Sequence, residues 1–398
     1  MKKLVIRFFG ILFFMAFVIT SSLAQINAYV DTLYVPAKED PEPGSMYPRV
    51  ICLEHQQNGG NGILLATFEH YIPGMRSFPI YRSTDNGKNW KLFSKVEDTY
   101  KGHGNKYQPV LFELPKQIGD FPAGTILCAG NMIPEDNSST ELTLYKSSDG
   151  GKNWDFVSSI VEGGRAIYNP ELNESPVWEP YLYLDDEDNL ICYYSDEQRK
   201  SQNFNQHLCH RVSTDGGKTW GEEVIDVAVP DMTTRPGMPI VQKLPNGKFF
   251  MIYEVVGLPD VPVYFRLSDN GRDWGEPMHL KTKILDSKAN FLRGTPYIVW
   301  TPLGGKNGTL IATPHRMMID GEAVGNGMMI NKNLGEGPWT LVKTAIDWNP
   351  DMHSGGYSQA MAITNDGKSL INIVPVPFDG NKSMLIYAIY DIEDIIGQ

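Results

Sequence analysis

STDNGKNW (83–90), SSDGGKNW (147–154), STDGGKTW (213–220) and LSDNGRDW (267–274) are four copies of one phrase. The shared pattern is S-x-D-x-G-x-x-W, the Asp-box, with Leu267 in the last copy where the others have Ser. Each part has a physical task. The carboxylates of Asp85, Asp149, Asp215 and Asp269 are suited to cap backbone N–H groups of a turn, and the Gly supplies positive φ. The Trp buries a large apolar face against neighbouring strands. The copies stand roughly 60 residues apart, which marks a repeated supersecondary unit. Units of this size built from short strands are propeller blades. The sequence therefore predicts an all-β fold, a six-bladed β-propeller with Asp-box repeats.

The rest of the chain agrees with that scale. Residues 25–398 divided six ways give roughly 62 residues per unit, and a closed domain of that length can bury its own core. They read as one propeller domain. Residues 1–24 read as a secretory signal: Lys2 and Lys3, an apolar run, then small residues before Gln25. A retained membrane anchor is the alternative for this segment. Export places the protein in the periplasm or outside the cell. The 35 basic and 47 acidic residues give a net charge of −12, which offers nothing to nucleic acid. Cys52, Cys128, Cys192 and Cys209 lack metal spacing and sit in apolar runs; they read as buried thiols, with Cys192 and Cys209 the pair best placed for a bridge. His207 and His210 have an odd offset that sends them to opposite faces of a strand, so no metal is expected. NGGNG (58–62) reads as a hairpin turn, and no loop of cofactor-cradling type is present.

Each blade should hold four antiparallel strands, the first lining a central channel. First strands are expected near Tyr47, Tyr107, Trp178, Arg235, Arg293 and Tyr357. Second strands are expected at 63–70, 125–132, 190–196, 248–254, 309–315 and 369–375. The alternating run 29–35 should join the last blade and close the ring. In an up-and-down blade, first-strand starts and second-strand ends share one face of the disc. The boxes lie on the other face, which makes them structural, and the fifth and sixth blades lack a clear box. The functional face then collects Arg49, His70, Asn131, Glu179, Asp196, Arg235, Glu254, Arg293, His315 and Tyr357. Trp178, with Tyr181 and Tyr253 near it, offers rings for stacking on sugars. Glu179 and Glu254 are the candidate catalytic pair. Each is flanked by aromatic or apolar residues that raise a carboxyl pKa, and glycoside cleavage needs two carboxyls.

These phrases also carry a resemblance. The boxes, Tyr47-Pro48-Arg49 and Gly356-Tyr357-Ser358 resemble the sialidase superfamily of six-bladed propellers. Within it, VWEPYLYL (177–184), YYSDE (193–197), RPGMPIVQKLPNGKFFMIYE (235–254) and GDFPAGTIL (119–127) look like glycoside hydrolase family 93. That resemblance implies a secreted exo-acting hydrolase releasing arabinobiose from α-1,5-linked arabinan. It also implies a retaining mechanism with Glu179 as acid/base and Glu254 as nucleophile. Arg49, Trp178, Arg235, Arg293, Tyr357, His70, Asn131 and His315 would bind substrate or hold the two Glu, with no cofactor. The expected partner is a polysaccharide or oligosaccharide, and the expected state a monomer. A true sialidase is the competing enzyme, because the three arginines could grip a carboxylate and Tyr357 matches its nucleophile. Its general-acid Asp is missing, since 71–82 reads YIPGMRSFPIYR. A non-catalytic glycan-binding propeller is the remaining alternative.

Overall fold

Apolar runs ended by Gly, Asn and Asp turns give 27 short strands among the described residues, with one brief α-helix at Ile392–Ile396 and a 3-10 turn at Lys200–Gln202. The computed structural model describes residues 25–57, 59–167 and 174–398. The expected leader, residues 1–24, lies outside the described residues, as does part of the NGGNG turn. Among the described residues no helix is long and apolar enough to cross a membrane.

The strands pair into six four-stranded antiparallel sheets and one of three strands. The six begin with Ser45–Cys52, Asn105–Glu113, Val177–Leu184, Arg235–Lys243, Tyr297–Thr301 and Ala360–Ile363. We number the sheets one to six in that order. Each opening strand lies beside that of the next sheet, and Ala360–Ile363 lies beside Ser45–Cys52, so the cycle returns to its start. This is the arrangement of a β-propeller. Tyr29–Tyr34 pairs antiparallel with Ser383–Asp391 and supplies the outer strand of sheet six. Apolar side chains from facing sheets fill the spaces between them, as where Leu65, Phe78 and Ile80 of sheet one meet Leu111, Ile126 and Cys128 of sheet two.

The boxes occupy the turns between third and fourth strands of sheets one to four. In the first, Ser83 Oγ donates to Asp85 Oδ1 and accepts from Gly87 N–H, while Asp85 Oδ1 accepts from Asn89 N–H. Asp149 and Asp215 repeat this pattern. The Trp residues tie each box to the preceding sheet. Trp154 Nε1 donates to Ser94 Oγ and Trp220 Nε1 to Ser158 Oγ. Trp90 packs edge-on against Tyr387, across the junction between sheets six and one.

Three expectations need correction. First, Asp269 is not a cap. Ser268 and Asn270 hold that turn, with Asn270 Oδ1 accepting from Arg272 and Asp273 N–H, whereas Asp269 is exposed and pairs with Lys248. The fourth box is one residue shorter, so its Ser is Ser268 and its acceptor an amide. Second, sheet five does carry a box-like turn. Asn331 Oδ1 accepts from Asn333 and Gly335 N–H, and the buried Trp339 follows. Third, sheet five opens at Tyr297. Arg293 belongs to the three-stranded sheet, where Phe291–Arg293 pairs with Arg316–Ile319. All four cysteines are free.

A second repeat lines the channel. Tyr47, Gln108, Glu179, Met238, Thr295 and Ser358 hold equivalent places in the six sheets, and all have positive φ, from 30° to 62°. The first five precede Pro. The strand register breaks at this place in sheets one to four. A bulge re-aims its side chain, and non-glycine residues hold φ in this region only when their surroundings fix them.

Candidate active site

The left-handed residues create the site, because each leaves an N–H outside the strand ladder that something must accept. Side chains of neighbouring sheets do so around the channel. Glu179 N–H donates to Gln108 Oε1 (3.0 Å), Met238 N–H to Glu179 Oε2 (2.7 Å) and Ser358 N–H to Thr295 Oγ1 (2.9 Å). Two carboxylates at second-strand ends join in. Gln108 N–H donates to Glu69 Oε1 (3.0 Å), and Thr295 N–H to Glu254 Oε2 (2.6 Å).

Above this ring opens a cavity of about 1070 Å³. Glu69, Glu179 and Glu254 lie in its wall with Gln108, Gln206, Arg235 and the rings of Tyr71, Tyr107, Trp178 and Tyr357. Glu179 and Glu254 face one point. The position a Cβ would take on Gly237 lies 3.2 Å from Glu179 Oε2 and 3.7 Å from Glu254 Oε1. Glycine at 237 thus leaves the gap between the carboxyls open. Glu179 Oε2 also accepts from Ser195 Oγ (2.6 Å). Burial pushes the Glu179 carboxyl up, opposed by the Ser195 and Met238 bonds and by Arg235. Burial and then the charge of Glu179 push Glu254 up to about 7. Two carboxyls so coupled favour one proton between them. An acid beside a carboxylate is the charge state that glycoside cleavage uses.

The residues expected at this face divide. Trp178, Glu179, Arg235, Glu254 and Tyr357 line the cavity; Arg49, His70, Asn131, Arg293 and His315 are not among its lining residues. Arg49 is buried, stacked over Tyr47 and bonded to Ser358, which makes it a brace between sheets one and six. His70 faces the N-terminal strand, where its Nε2 meets the Tyr34 hydroxyl at 2.7 Å. Asn131 is a buried clamp whose Nδ2 donates to Val177 O. Arg293 sits in the three-stranded sheet with its guanidinium near Met318 Sδ. His315 is buried behind Tyr357, edge-on to its ring at 5.5 Å, with Nε2 at the His353 carbonyl. Tyr253 points into the core of sheet four, because alternation sends it opposite Glu254.

Asp196 lies apart from the cavity, in a buried group with His207, Cys209 and Glu223, whose ligand-type atoms fall within 4.8 Å of one another. Its carboxylates are already engaged. Arg199 and Tyr194 donate to Glu223, and Gln198 donates to Asp196. His210 faces away and pairs with Asp226 at 2.8 Å.

Fold and site together define a glycoside-cleaving propeller. The chain is 36% identical to Penicillium chrysogenum α-L-arabinanase, solved with arabinobiose, over 92% of this chain and 99% of that one, with a TM-score of 0.78. It is 33% identical to the GH93 α-L-arabinofuranosidase of Fusarium graminearum, also solved with arabinobiose, with the same coverages and a TM-score of 0.80. A Hadza microbial sialidase shares the fold at 14% identity and a TM-score of 0.56, over 88% of this chain and 66% of that one. No family model matches the chain, and no curated protein does. The chain belongs to glycoside hydrolase family 93, with a sialidase-like fold. It is a glycoside hydrolase.

Proposed function

We propose that this protein is a six-bladed propeller, residues 25–398, that cleaves α-1,5-linked arabinan from a chain end by a two-glutamate retaining mechanism. Arabinobiose is the expected product. The observation that carries the reading is the convergence of Glu179 and Glu254 on one point of an aromatic-walled cavity. The two relatives solved with arabinobiose support the choice of sugar. In the proposed reaction the roles are the reverse of those the resemblance implies. Glu179 attacks the anomeric carbon while Glu254, which holds the proton against the charge of Glu179, protonates the departing oxygen. Glu254 then takes a proton from water, which displaces Glu179 from the glycosyl ester. Ser195 and the Met238 N–H hold Glu179 through the cycle, and the Thr295 N–H holds Glu254. Residues 1–24 act as the export leader in this reading, and N-terminal sequencing of secreted protein should begin at Gln25.

The cavity suits a neutral sugar better than a sialoside. Arg235 is the single arginine in its described wall, and Glu197, Gln206 and Asn205 already accept from it. An arginine triad for a substrate carboxylate is not assembled there.

Linear arabinan, an aryl arabinoside and a sialoside assayed in parallel test the reading. Disaccharide release from arabinan is expected, with none from the sialoside. Glu179→Gln and Glu254→Gln should each lower turnover on arabinan by about a thousandfold while the fold persists. Turnover near wild type in either variant would remove that residue from the mechanism.

A further inference from the structure

The cavity wall beside Glu179 is held from behind by an anion that does not line the cavity. Glu197 stands one residue beyond the second strand of sheet three, Leu190–Asp196, and is fully buried. Its Oε1 accepts from Trp178 Nε1 and from Arg235 Nη2, each at 3.0 Å. Its Oε2 meets Lys200 Nζ at 2.9 Å, and that ammonium, also buried, donates to the Glu174 carbonyl. One carboxylate oxygen thus joins a ring from sheet three to a guanidinium from sheet four. Trp178 and Arg235 both line the cavity, and Trp178 directly precedes Glu179.

We propose that Glu197 is a positioning residue that locks Trp178 and Arg235 together as one face of the sugar-binding wall. Its effect on substrate rests on the arabinan reading; the clamp itself rests on the contacts alone. Trp178 lies where the strand register breaks, between Trp178 and Tyr181, so the ladder gives its ring little support. A half-buried indole can turn about its side-chain torsions unless its N–H is tied, and Glu197 ties it. Arg235 is gripped as well by Gln206 Oε1 at 2.6 Å and Asn205 Oδ1 at 3.3 Å. Those two acceptors are neutral amides, and the ionised acceptor makes the stronger bond. Lys200 lets the carboxylate stay ionised away from water, because a buried charge persists when it is paired. Trp178, Glu197, Lys200 and Arg235 therefore form one unit, in which Glu197 joins the other three.

Glu197→Leu combined with Lys200→Met is the decisive variant. It removes the acceptor, strands no buried ammonium and leaves the net charge unchanged. Glu197→Gln combined with Lys200→Met has the same charge and keeps an acceptor. On arabino-oligosaccharide the leucine variant should raise KM about tenfold with kcat within about threefold of wild type. The split follows because the clamped pair meets the sugar rather than the breaking bond. The glutamine variant should recover most of that loss. Hydrogen exchange at the Trp178 indole N–H, assigned with Trp178→Phe, reads the clamp without substrate. Exchange should be about tenfold faster or more in the leucine variant than in wild type, and slow again in the glutamine variant. If the leucine variant does not fold, Glu197→Asp, one methylene too short to reach both partners, takes its place with Lys200 still paired. Unchanged KM and unchanged exchange in the folded variant overturn the clamp, as does a loss confined to kcat. Wild-type protein that protects the indole yet cleaves no arabinan upholds the clamp and sinks the arabinan reading instead.

Discussion

Glu69 and Glu254 are buried carboxyls whose surroundings disfavour charge, and each is pushed up from 4.5 to about 7, chiefly by burial. A site that holds such groups stores a cost that depends on pH. Because the folded state raises both pKa values, each group favours folding below its unfolded pKa. That contribution is lost as pH rises through about 7. The linkage amounts to roughly 3 kcal/mol for each group across that window. Replacing either by its amide removes the term. Glu69→Gln and Glu254→Gln should therefore melt higher than wild type at pH 8, with the gain gone near pH 4.5. Melting curves at the two pH values check this, and an equal shift at both would refute it. On the proposed mechanism, activity and stability pull apart in Glu254→Gln.

The turns make their own prediction at the scale of the element. Asp215 gathers the N–H groups of Lys218 and Thr219 with the hydroxyls of Ser213 and Thr219, and this holds its carboxyl down at about 2. Asp269 has the same place in the written pattern but none of those bonds; Asn270 has them instead. Asp215→Ala and Asn270→Ala should each lose about 1 kcal/mol in denaturant titrations. Asp269→Ala should stay within about 0.5 kcal/mol of wild type. The contrast shows how far the sequence is legible. Three boxes, the order of the strands and the meeting of Glu179 and Glu254 in one cavity wall can be read from spacing and residue type. The turn at Asn331 cannot, because its acceptor is an amide and its Trp lies one residue further along. His70 illustrates a different limit. In a strand, one position decides the face, so the cavity receives Glu69 and the rim receives His70. The run of X-Pro dipeptides from Tyr47-Pro48 to Thr295-Pro296 was readable as a second period. It marks Gln108 as the counterpart of Glu179, a link that the boxes on the other face cannot supply. Arg293 could not be placed from sequence, because nothing in it distinguishes a strand of the small sheet from the opening strand of sheet five.

At the scale of the whole molecule, the cavity belongs to no single sheet. Glu69, Gln108, Glu179 and Glu254 come from sheets one to four, and Tyr357 from the turn that leads into sheet six. Their mutual placement therefore depends on the cycle being closed. Closure rests on residues distant in sequence, since Tyr29–Tyr34 completes the sheet that ends with Ser383–Asp391. Leu33 anchors that strand. It is buried in the cluster that also holds Val50 and Phe68 of sheet one and Tyr387 of sheet six. Leu33→Asp puts a charge into that cluster and should cost about 3 kcal/mol or more. The freed edge of Ser383–Asp391 would also promote association between molecules. None of the altered atoms touches the cavity, so initial rates at low temperature should match wild type. On heating, hydrolysis and tryptophan fluorescence should both fail at one lowered midpoint, because loss of closure and loss of the site are the same event. If activity in Leu33→Asp survives well past the fluorescence transition, the sheets hold the site without the closing strand. If it falls at low temperature with the fold intact, the strand acts on the site directly.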